Sequence, residues 1–293
     1  MAIVGPTASG KTTLSLAVAE RFGGEIVSAD SRQIYRGMDI GTAKPTPEEQ
    51  RVAPHHLINI KDPGEDYTVA DYKRDAVAAI KGILARGKLP ILAGGTGLYA
   101  AAVLRNLDIP NVKAVPELRR TIEEEVAGKG LAAVFKKLVA LDPEAAYVVD
   151  PKNPRRVVRA LEVTLATGAP FTAQRKKSEP LFDALAIALA LPALALRARI
   201  NARVDQMMRD GLVEEVEALV RRYGTECPAF DAIGYREIIA YLNGTMPLGE
   251  AESLMKTNTW HYAKRQITWF KKDPSIHWFH DPQHALPFIE RNL

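Results

Sequence analysis

Short apolar runs alternate along the chain with longer stretches in which apolar residues recur every three or four positions. The β-prone runs are Ala2–Val4, Glu25–Ala29, Leu89–Ala93 and Ala184–Leu191. The helical patterns that follow the first three are Lys11–Phe22, Thr68–Arg86 and Leu98–Leu107. Strands that alternate with amphipathic helices predict a parallel sheet with helical crossovers, so we expect an α/β fold.

The pattern changes in the middle of the chain, where Pro116 to Gly168 contains helical periodicity and almost no β-prone run. Asn153 and Pro154 form a typical helix start, and Gly168 is typical of the end of that helix. We therefore expect a mostly helical insertion. The expected boundaries are 1–112 and 184–293 for the core and 113–183 for the insertion.

A glycine-rich turn directly follows the first predicted strand. Its sequence, GPTASGKT, matches G-x-x-x-x-G-K-[ST] and lies between a strand and a helix, the context that this phosphate-loop motif requires. The candidate diphosphate-binding residues are Gly5, Pro6, Thr7, Ala8, Ser9, Gly10, Lys11 and Thr12. Backbone N–H groups would meet phosphate oxygens, Lys11 would add charge, and Thr12 would offer a hydroxyl to a phosphate-bound Mg²⁺. A glycine-rich turn that matches by chance is the alternative. The motif predicts a P-loop NTPase-like, three-layer core.

Polar residues also follow the second and third predicted strands. Asp30 ends the second strand, so it should lie at the carboxyl edge of the sheet, where ligands of open α/β folds bind. There it suits a catalytic carboxylate, although an Asp that caps the next turn through Ser31 or Gln33 is an equal alternative. Thr96 lies at the same edge. Its neighbours Gly94, Gly95 and Gly97 are expected to form a tight strand-to-helix turn.

Several arginines recur at helical spacing. Within the insertion they are Arg155, Arg156 and Arg159, while Val158, Leu161 and Leu165 are expected to face inward. This basic face would suit phosphates, and a solvated surface is the alternative, as it is for Arg175, Lys176 and Lys177. Farther along, Arg199 and Arg203 stand four residues apart. Either could cover a phosphate as a lid, and a pair of exposed helix arginines is the alternative.

Composition and charge exclude only a few classes of function. With 39 Lys and Arg against 35 Asp and Glu, the net charge of +4 permits a polyanionic partner without requiring one. Cys227 is the only cysteine, which excludes an intramolecular disulfide and a thiolate metal cage. No apolar run is long enough for a membrane helix, and the phosphate loop begins at Gly5, so we expect a cytosolic protein without a targeting leader.

Four segments together resemble the tRNA dimethylallyltransferase family. They are GPTASGKT at Gly5–Thr12, DSRQIYRGMDIGTAKP at Asp30–Pro45, GGTGLY at Gly94–Tyr99 and AKRQITWFKKD at Ala263–Asp273. The first is shared by many enzymes, whereas the second together with GGTGLY is distinctive of this family. The chain lacks the zinc-finger extension of eukaryotic relatives and so resembles the bacterial type. Asn59 departs from the acidic residue that the family tends to have, and the first strand is shorter than the usual leader.

The resemblance implies a transfer from dimethylallyl diphosphate to N6 of the adenosine 3′ of the anticodon, position 37 of tRNA. The product would be N6-isopentenyladenosine, with release of diphosphate, and the enzyme would be a monomer that uses Mg²⁺. Asp30 would be the general base, and Thr7 and Arg203 would contact the transferring diphosphate. The residues implied to meet tRNA are Asp30, Ser31, Arg32, Gln33, Thr96, Arg119, Arg155, Arg156, Val157, Val158, Arg159, Asp231, Ala232, Ile233, Gly234, Tyr235 and Arg236.

Two other functions fit parts of the sequence. A P-loop kinase of a small metabolite would need only the phosphate loop and Asp30, but the helical insertion and its basic face argue against it. An RNA-binding ATPase would hydrolyse nucleotide in response to RNA and leave the RNA unchanged. Mass analysis of the RNA separates both from a transferase.

Overall fold

The computed structural model describes residues 1–109, 112, 115–174 and 178–293. Contacts between Cα atoms divide the chain into two units, Met1–Val103 with Phe182–Leu293, and Leu104–Leu181. Each unit has a cluster of buried apolar side chains of its own. The expected insertion, 113–183, starts later than the second unit, which already includes the segment directly after Val103.

A parallel six-stranded sheet forms the centre of the first unit. Its strands are β1 (Ala2–Val4), β2 (Gly24–Ser28), β3 (His55–His56), β4 (Leu89–Gly94), β5 (Ala186–Leu189) and β6 (His277–Phe279). Their spatial order is β3-β2-β4-β1-β5-β6, and Ile3 in β1 is paired with Ala93 on one side and Ile187 on the other. Because the strands are parallel, the segments that follow β1, β2 and β4 meet at one edge.

The four strands predicted from apolar runs are confirmed, whereas β3 and β6 were missed. Both are edge strands, two and three residues long, and each begins with histidine. Such short pieces carry no apolar run. They become strands because their backbones pair with β2 and β5, which local sequence does not reveal.

Helices surround this sheet and build the second unit. Those of the first unit are α1 (Lys11–Phe22), α2 (Pro47–Val52), α3 (Val69–Ala85), α4 (Gly97–Leu104, whose last residue lies beyond the boundary), α9 (Ala193–Arg209), α10 (Leu212–Tyr223), α11 (Tyr235–Leu242), α12 (Leu248–Phe270) and α13 (Pro282–Asn292). Those of the second unit are α5 (Pro116–Lys129), α6 (Leu131–Leu141), α7 (Ala145–Val148) and α8 (Pro154–Thr167). α1 spans the predicted residues, and α2 was not predicted in its proline-containing loop.

Two apolar clusters fix the sides of the site. In the first, Leu14 and Val18 of α1 pack with Ile289 of α13 and with Ile3 of the central strand. The second cluster contains residues of all four helices from α9 to α12. It also includes Met38, which lies in the long segment after β2. The sheet therefore holds the phosphate loop, while the C-terminal helices hold the segment that follows Asp30.

The second unit is a small helical bundle. α5, α6 and α8 pack around Ile122, Leu138 and Leu161, each at most 1% exposed. The predicted ends of α8 are confirmed, because the Asn153 side chain accepts the backbone N–H of Arg156 and Gly168 has a φ of 67°. Leu165 was predicted to face inward, but this is wrong: it is 39% exposed. It lies one turn beyond Leu161, past the last α8 residue in the buried cluster.

In the part of the chain that the structure describes, we find no helix with both the length and the apolar character needed to cross a membrane.

Candidate functional site

The backbone of the phosphate loop forms a tight turn, as its glycine-rich sequence predicts. Ala8 and Gly10 both have positive φ values, 62° and 96°, and α1 begins at the next residue, Lys11. The Lys11 ammonium donates a hydrogen bond of 2.6 Å to the carbonyl oxygen of Pro6. The Ser9 hydroxyl is fully buried and has no hydrogen-bond partner among the described residues. Both groups can bind an incoming anion. The Lys11 ammonium would exchange the Pro6 carbonyl oxygen for an oxygen of the anion, and the Ser9 hydroxyl would gain a partner.

The electrostatic setting of Lys11 is unusual for a lysine. Burial of the Lys11 ammonium and, after it, the nearby Arg203 guanidinium lower the pKa of Lys11, and the Asp30 carboxylate opposes both; the resulting pKa is about 7. A desolvated ammonium beside a second cation favours a negatively charged ligand. The loop therefore offers an anion site whose own charge is not fully balanced.

Arg203 lies on α9 and reaches the phosphate loop. Its guanidinium donates a hydrogen bond of 3.3 Å to the Thr7 hydroxyl, and burial followed by the nearby Arg199 lowers its pKa. Arg199 is exposed, and its guanidinium nitrogen would lie 3.6 Å from a Cβ built on Gly10. Both arginines therefore approach the loop, as a lid would, but only Arg203 is inserted into the site.

Asp30 stands at the end of β2, and one of its oxygens closes a turn. Oδ1 accepts the backbone N–H of Arg32 at 2.8 Å, so the carboxylate does cap the next turn, through Arg32 instead of the expected Ser31 or Gln33. No hydrogen bond to the second oxygen comes from the residues that the structure describes. The Asp30 charge also acts on Lys11 and Tyr262. One oxygen orients the carboxylate and the other is left for chemistry.

Tyrosines line the surroundings of Asp30. Tyr72 and Tyr99 stack with ring centroids 3.8 Å apart, and the Tyr72 hydroxyl is buried with no partner in the described chain. Burial, together with the charge of Asp30, raises the pKa of Tyr262 to about 12. The phenols thus stay neutral and give the carboxylate a wall of low polarity.

The GGTG segment was expected to form a tight strand-to-helix turn, and this is confirmed, because β4 ends at Gly94 and α4 begins at Gly97. None of its glycines has a positive φ among the described residues. A Cβ at Gly94 would lie 2.2 Å from the Ala29 carbonyl oxygen, and one at Gly97 would lie 2.2 Å from the Trp269 ring. These glycines instead allow close approach, which places Thr96 so that its hydroxyl accepts the Ser31 N–H at 3.0 Å.

The long segment after Asp30 is held by a half-buried carboxylate, that of Glu215, which sequence reasoning did not find. Glu215 accepts the backbone N–H groups of Asp39, Ile40 and Gly41 at 2.7–3.1 Å. It also accepts the hydroxyl of Tyr235 at 2.7 Å. No local pattern reveals this carboxylate, because the three backbone N–H groups that it binds lie about 175 residues away.

Asn59, whose role was open, belongs to the same support. Its amide oxygen accepts a hydrogen bond of 2.6 Å from the buried ammonium of Lys44, which also binds Asp39. Burial lowers the pKa of Lys44, and Asp39 opposes that shift. An acidic residue at position 59 would meet the same ammonium, so a neutral amide here leaves Asp39 as its nearby counter-charge.

The residues implied to meet RNA differ in how accessible they are. Ser31, Arg32 and Thr96 lie at the sheet edge, and Gln33 is turned inward, where its amide accepts the Ser28 hydroxyl and donates to the Ala43 carbonyl. In the segment 231–236, the side chains of Asp231 and Arg236 are exposed, Ile233 is half-buried, and Ala232, Gly234 and Tyr235 are buried. The exposed residues can contact a partner directly; the buried ones can only position them.

In the second unit a buried carboxylate organises two arginines. Glu162, fully buried, accepts hydrogen bonds from Arg119 at 2.7 Å and from Arg159 at 2.8 Å. Arg155 and Arg156 are exposed on α8, whereas Val157 and Val158 are buried in the core of this unit. The basic cluster Arg175, Lys176 and Lys177 lies outside the described residues.

The outer side of α12 forms a basic groove that sequence reasoning did not assign. Its lining residues are His261, Lys264, Arg265, Thr268, Trp269 and Lys272. Lys264 lies over the ring of Trp260, with 5.7 Å to the ring centroid. We call this surface the α12 basic face. Its residues recur every three or four positions, a signal that was present in the AKRQITWFKKD segment.

Metal-binding side chains are not clustered in the part of the chain that the structure describes. No group of three or more His, Cys, Asp or Glu side chains close enough to hold a metal ion occurs among the described residues. The hydroxyl of Thr12, in the first turn of α1, is a single oxygen donor. This donor set fits a cation that reaches the protein together with phosphate oxygens, as Mg²⁺ commonly does.

A phosphate loop, an inserted arginine and a carboxylate at the carboxyl edge of one parallel sheet define an α/β enzyme of the P-loop type. The IPP transferase family model matches residues 33–273, and the isopentenyl transferase model matches residues 1–59. The chain belongs to the IPP transferase family and is a transferase. It is 49% identical over 277 residues to a tRNA dimethylallyltransferase of Roseiflexus sp. (strain RS-1), covering 94% of this chain and 91% of the relative.

Solved structures agree with this assignment. A tRNA isopentenylpyrophosphate transferase from Bacillus halodurans is 45% identical, with a TM-score of 0.70 over 95% of this chain and 88% of that one. A eukaryotic dimethylallyltransferase, studied while acting on tRNA, is 30% identical, with a TM-score of 0.75 over 92% of this chain and 69% of that one. The predicted P-loop NTPase-like fold is thereby confirmed.

Proposed function

We propose that this enzyme transfers the dimethylallyl group of dimethylallyl diphosphate to N6 of the adenosine 3′ of the anticodon, at position 37 of tRNA. The products are N6-isopentenyladenosine and diphosphate. The observation that carries the proposal is that Asp30 acts electrostatically on Lys11, whose loop also holds the Thr7–Arg203 contact. A proton acceptor and a diphosphate site are therefore neighbours.

The reaction forms an N–C bond and breaks a C–O bond. As N6 attacks the allylic carbon, Asp30 takes a proton from the amino group through the oxygen that does not cap the turn. The electron pair of the broken bond stays on the diphosphate. Lys11, Arg203 and the N–H groups of the phosphate loop stabilise the charge that develops there.

Mg²⁺ is the cation that suits this site, and the Thr12 hydroxyl together with diphosphate oxygens would hold it. When bound, it neutralises charge on the leaving group. The buried Ser9 hydroxyl, which lacks a partner among the described residues, is a further donor for a phosphate oxygen. These groups together bind a diphosphate without a nucleotide.

Selection of the donor must come from elsewhere, because ATP and dimethylallyl diphosphate offer the loop the same kind of oxygens. We assign it to the wall of low polarity around Asp30, in which Tyr262 is half-buried and Tyr99 is backed by the fully buried Tyr72. A ribose there would leave polar groups unpaired, whereas a five-carbon chain would not.

RNA binding is proposed to use exposed cations on each unit. The α12 basic face provides Lys264 and Arg265 beside aromatic rings that can stack with unpaired bases. Arg155 and Arg156 provide a second basic surface. Anticodon-loop bases are single-stranded, so the target adenine can leave its stack at modest cost. We propose that the enzyme acts as a monomer in the cytosol, where tRNA is found.

The test is incubation of an unmodified anticodon stem-loop with the enzyme, Mg²⁺ and dimethylallyl diphosphate. We expect the RNA to gain the mass of one C5H8 unit, located by nuclease digestion at the adenosine 3′ of the anticodon. A parallel reaction with ATP should leave the RNA unchanged. RNA-stimulated ATP hydrolysis without any gain in RNA mass would instead identify an ATPase.

A further inference from the structure

Gln266 joins two loops of the site from the buried side of α12. Its side-chain oxygen accepts the backbone N–H of Thr7 at 2.9 Å, and its amide nitrogen donates to the carbonyl oxygen of Gly95 at 2.8 Å. The residue is 5% exposed. One primary amide thus satisfies a donor after β1 and an acceptor after β4.

The local packing leaves this amide little freedom. A Cβ at Gly95 would lie 2.2 Å from the Gln266 nitrogen, so the close contact requires glycine at that position. Ala263 and Phe270, on the same side of α12, are buried and fix the rotation of the helix. The amide is therefore held at both ends and along its stem.

We propose that Gln266 is a positioning residue for the donor site. It fixes the backbone of Thr7, so that the Thr7 hydroxyl meets the Arg203 guanidinium at 3.3 Å. Gln266 itself acts through Thr7 and needs no contact with the substrate. This inference depends on the proposed function, because it concerns the geometry of diphosphate binding in that reaction.

The same helix gives this contact a second consequence. α12 carries Gln266 on its buried side and Lys264 and Arg265 on the α12 basic face. A helix is a rigid element, so RNA bound to its outer side and diphosphate bound at Thr7 act on one body. Gln266 then couples the two ligands, and each should change the affinity of the other by the same factor.

The experiment compares two variants with the wild-type enzyme. Gln266→Met keeps the length of the side chain and removes both hydrogen bonds, and Gln266→Glu keeps the acceptor for Thr7 but sets an oxygen against the Gly95 carbonyl. Each should lower kcat/KM for dimethylallyl diphosphate about ten- to a hundredfold, since buried groups lose their partners, while the affinity for RNA measured without the donor stays unchanged. The matched control is Gln206→Met, the same change at an exposed position of α9, with no expected effect.

A readout specific to the coupling comes from calorimetry with inorganic diphosphate, with and without the anticodon stem-loop. In the wild type, RNA should tighten diphosphate binding about fivefold or more, and in Gln266→Met this factor should approach one. Wild-type values in both variants would overturn the role of Gln266. Failure of the wild type to modify RNA would overturn the proposed function instead.

If Gln266→Met fails to fold, as judged by circular dichroism, two other results still test the proposal. One is the kinetics of Gln266→Glu. The other is amide hydrogen exchange of Thr7 in the wild type, where slow exchange is expected from the bond to Gln266. Exchange as fast as in an open loop would contradict the proposal.

Discussion

The Arg203 guanidinium donates a hydrogen bond to the Thr7 hydroxyl across 196 positions of sequence, at 3.3 Å. This contact brings a cation from α9 to the loop that follows the first strand. Since both side chains would then face one diphosphate, they should act as a unit. Replacing either one alone should remove most of what replacing both removes.

We therefore expect Arg203→Ala to slow transfer by about two to three powers of ten, the range for losing one preorganised donor to developing charge. Single-turnover rates with saturating tRNA measure this. Thr7→Ala and the double variant complete a cycle. Fully additive losses would show that the two side chains work independently.

Asp30→Asn separates the two tasks of the carboxylate. The amide oxygen can still accept the Arg32 N–H, so the turn should persist, but the side chain no longer takes up a proton. We expect the single-turnover rate to fall by about two to four powers of ten, with a far smaller change in affinity for inorganic diphosphate, since Asp30 acts on Lys11 only through its charge. A rate within about threefold of the wild type would remove Asp30 from the mechanism.

The features that could be predicted from the sequence are those determined by residues close together in the chain. The helical pattern Thr68–Arg86 is α3 in the structure, where Thr68 and Asp71 form a capping box, and the predicted helix end at Gly168 is also present. The phosphate loop was likewise readable, because its motif and flanking elements are contiguous. In each case the interacting groups lie within a few residues of one another.

The support of the site could not be predicted in this way. Glu215 binds three backbone N–H groups about 175 residues away, and Gln266 bridges loops that follow two different strands. Neither residue type is diagnostic by itself, since exposed glutamate and glutamine are common in helices. Their roles follow from tertiary packing, which also explains why the turn after β4 needs glycine at position 95, where a Cβ would meet the Gln266 amide.

The arginines of α8 should divide into two kinds. Arg155→Ala and Arg156→Ala are expected to weaken tRNA binding and to flatten the slope of log affinity against log salt by about one for each phosphate that the protein no longer neutralises. Their fold should be unchanged. Lys136→Ala, which removes one exposed charge on α6, is the matched control and should leave affinity and slope unchanged.

Arg159→Ala should differ, because it removes a partner of the buried Glu162 carboxylate. We expect the free energy of unfolding to fall by about 1–3 kcal/mol, measured by urea denaturation, in addition to any effect on RNA. Arg159→Ala with full stability would show that Arg119 alone satisfies Glu162. An unaltered salt slope in the other two variants would make this surface a merely solvated one.

Binding of the donor should take up a proton at Lys11. Burial, with Arg203, places the pKa of Lys11 at about 7 in the free protein, and a diphosphate beside the ammonium raises that pKa in the complex. A pKa that is raised by binding favours the complex fully below the free value, about 7, and the gain is lost as pH rises through the bound value. Affinity should therefore change little between about pH 6, where the terminal phosphate itself begins to be protonated, and pH 7, and should fall by up to about tenfold per unit above pH 7. Calorimetry at pH 8 in buffers of different ionisation enthalpy should show an uptake of close to one proton, because the terminal phosphate, with a pKa near 6, is already ionised there.

Lys11→Met is the matched control and should bind more weakly with almost no uptake. Equal uptake in both proteins would show that another group titrates.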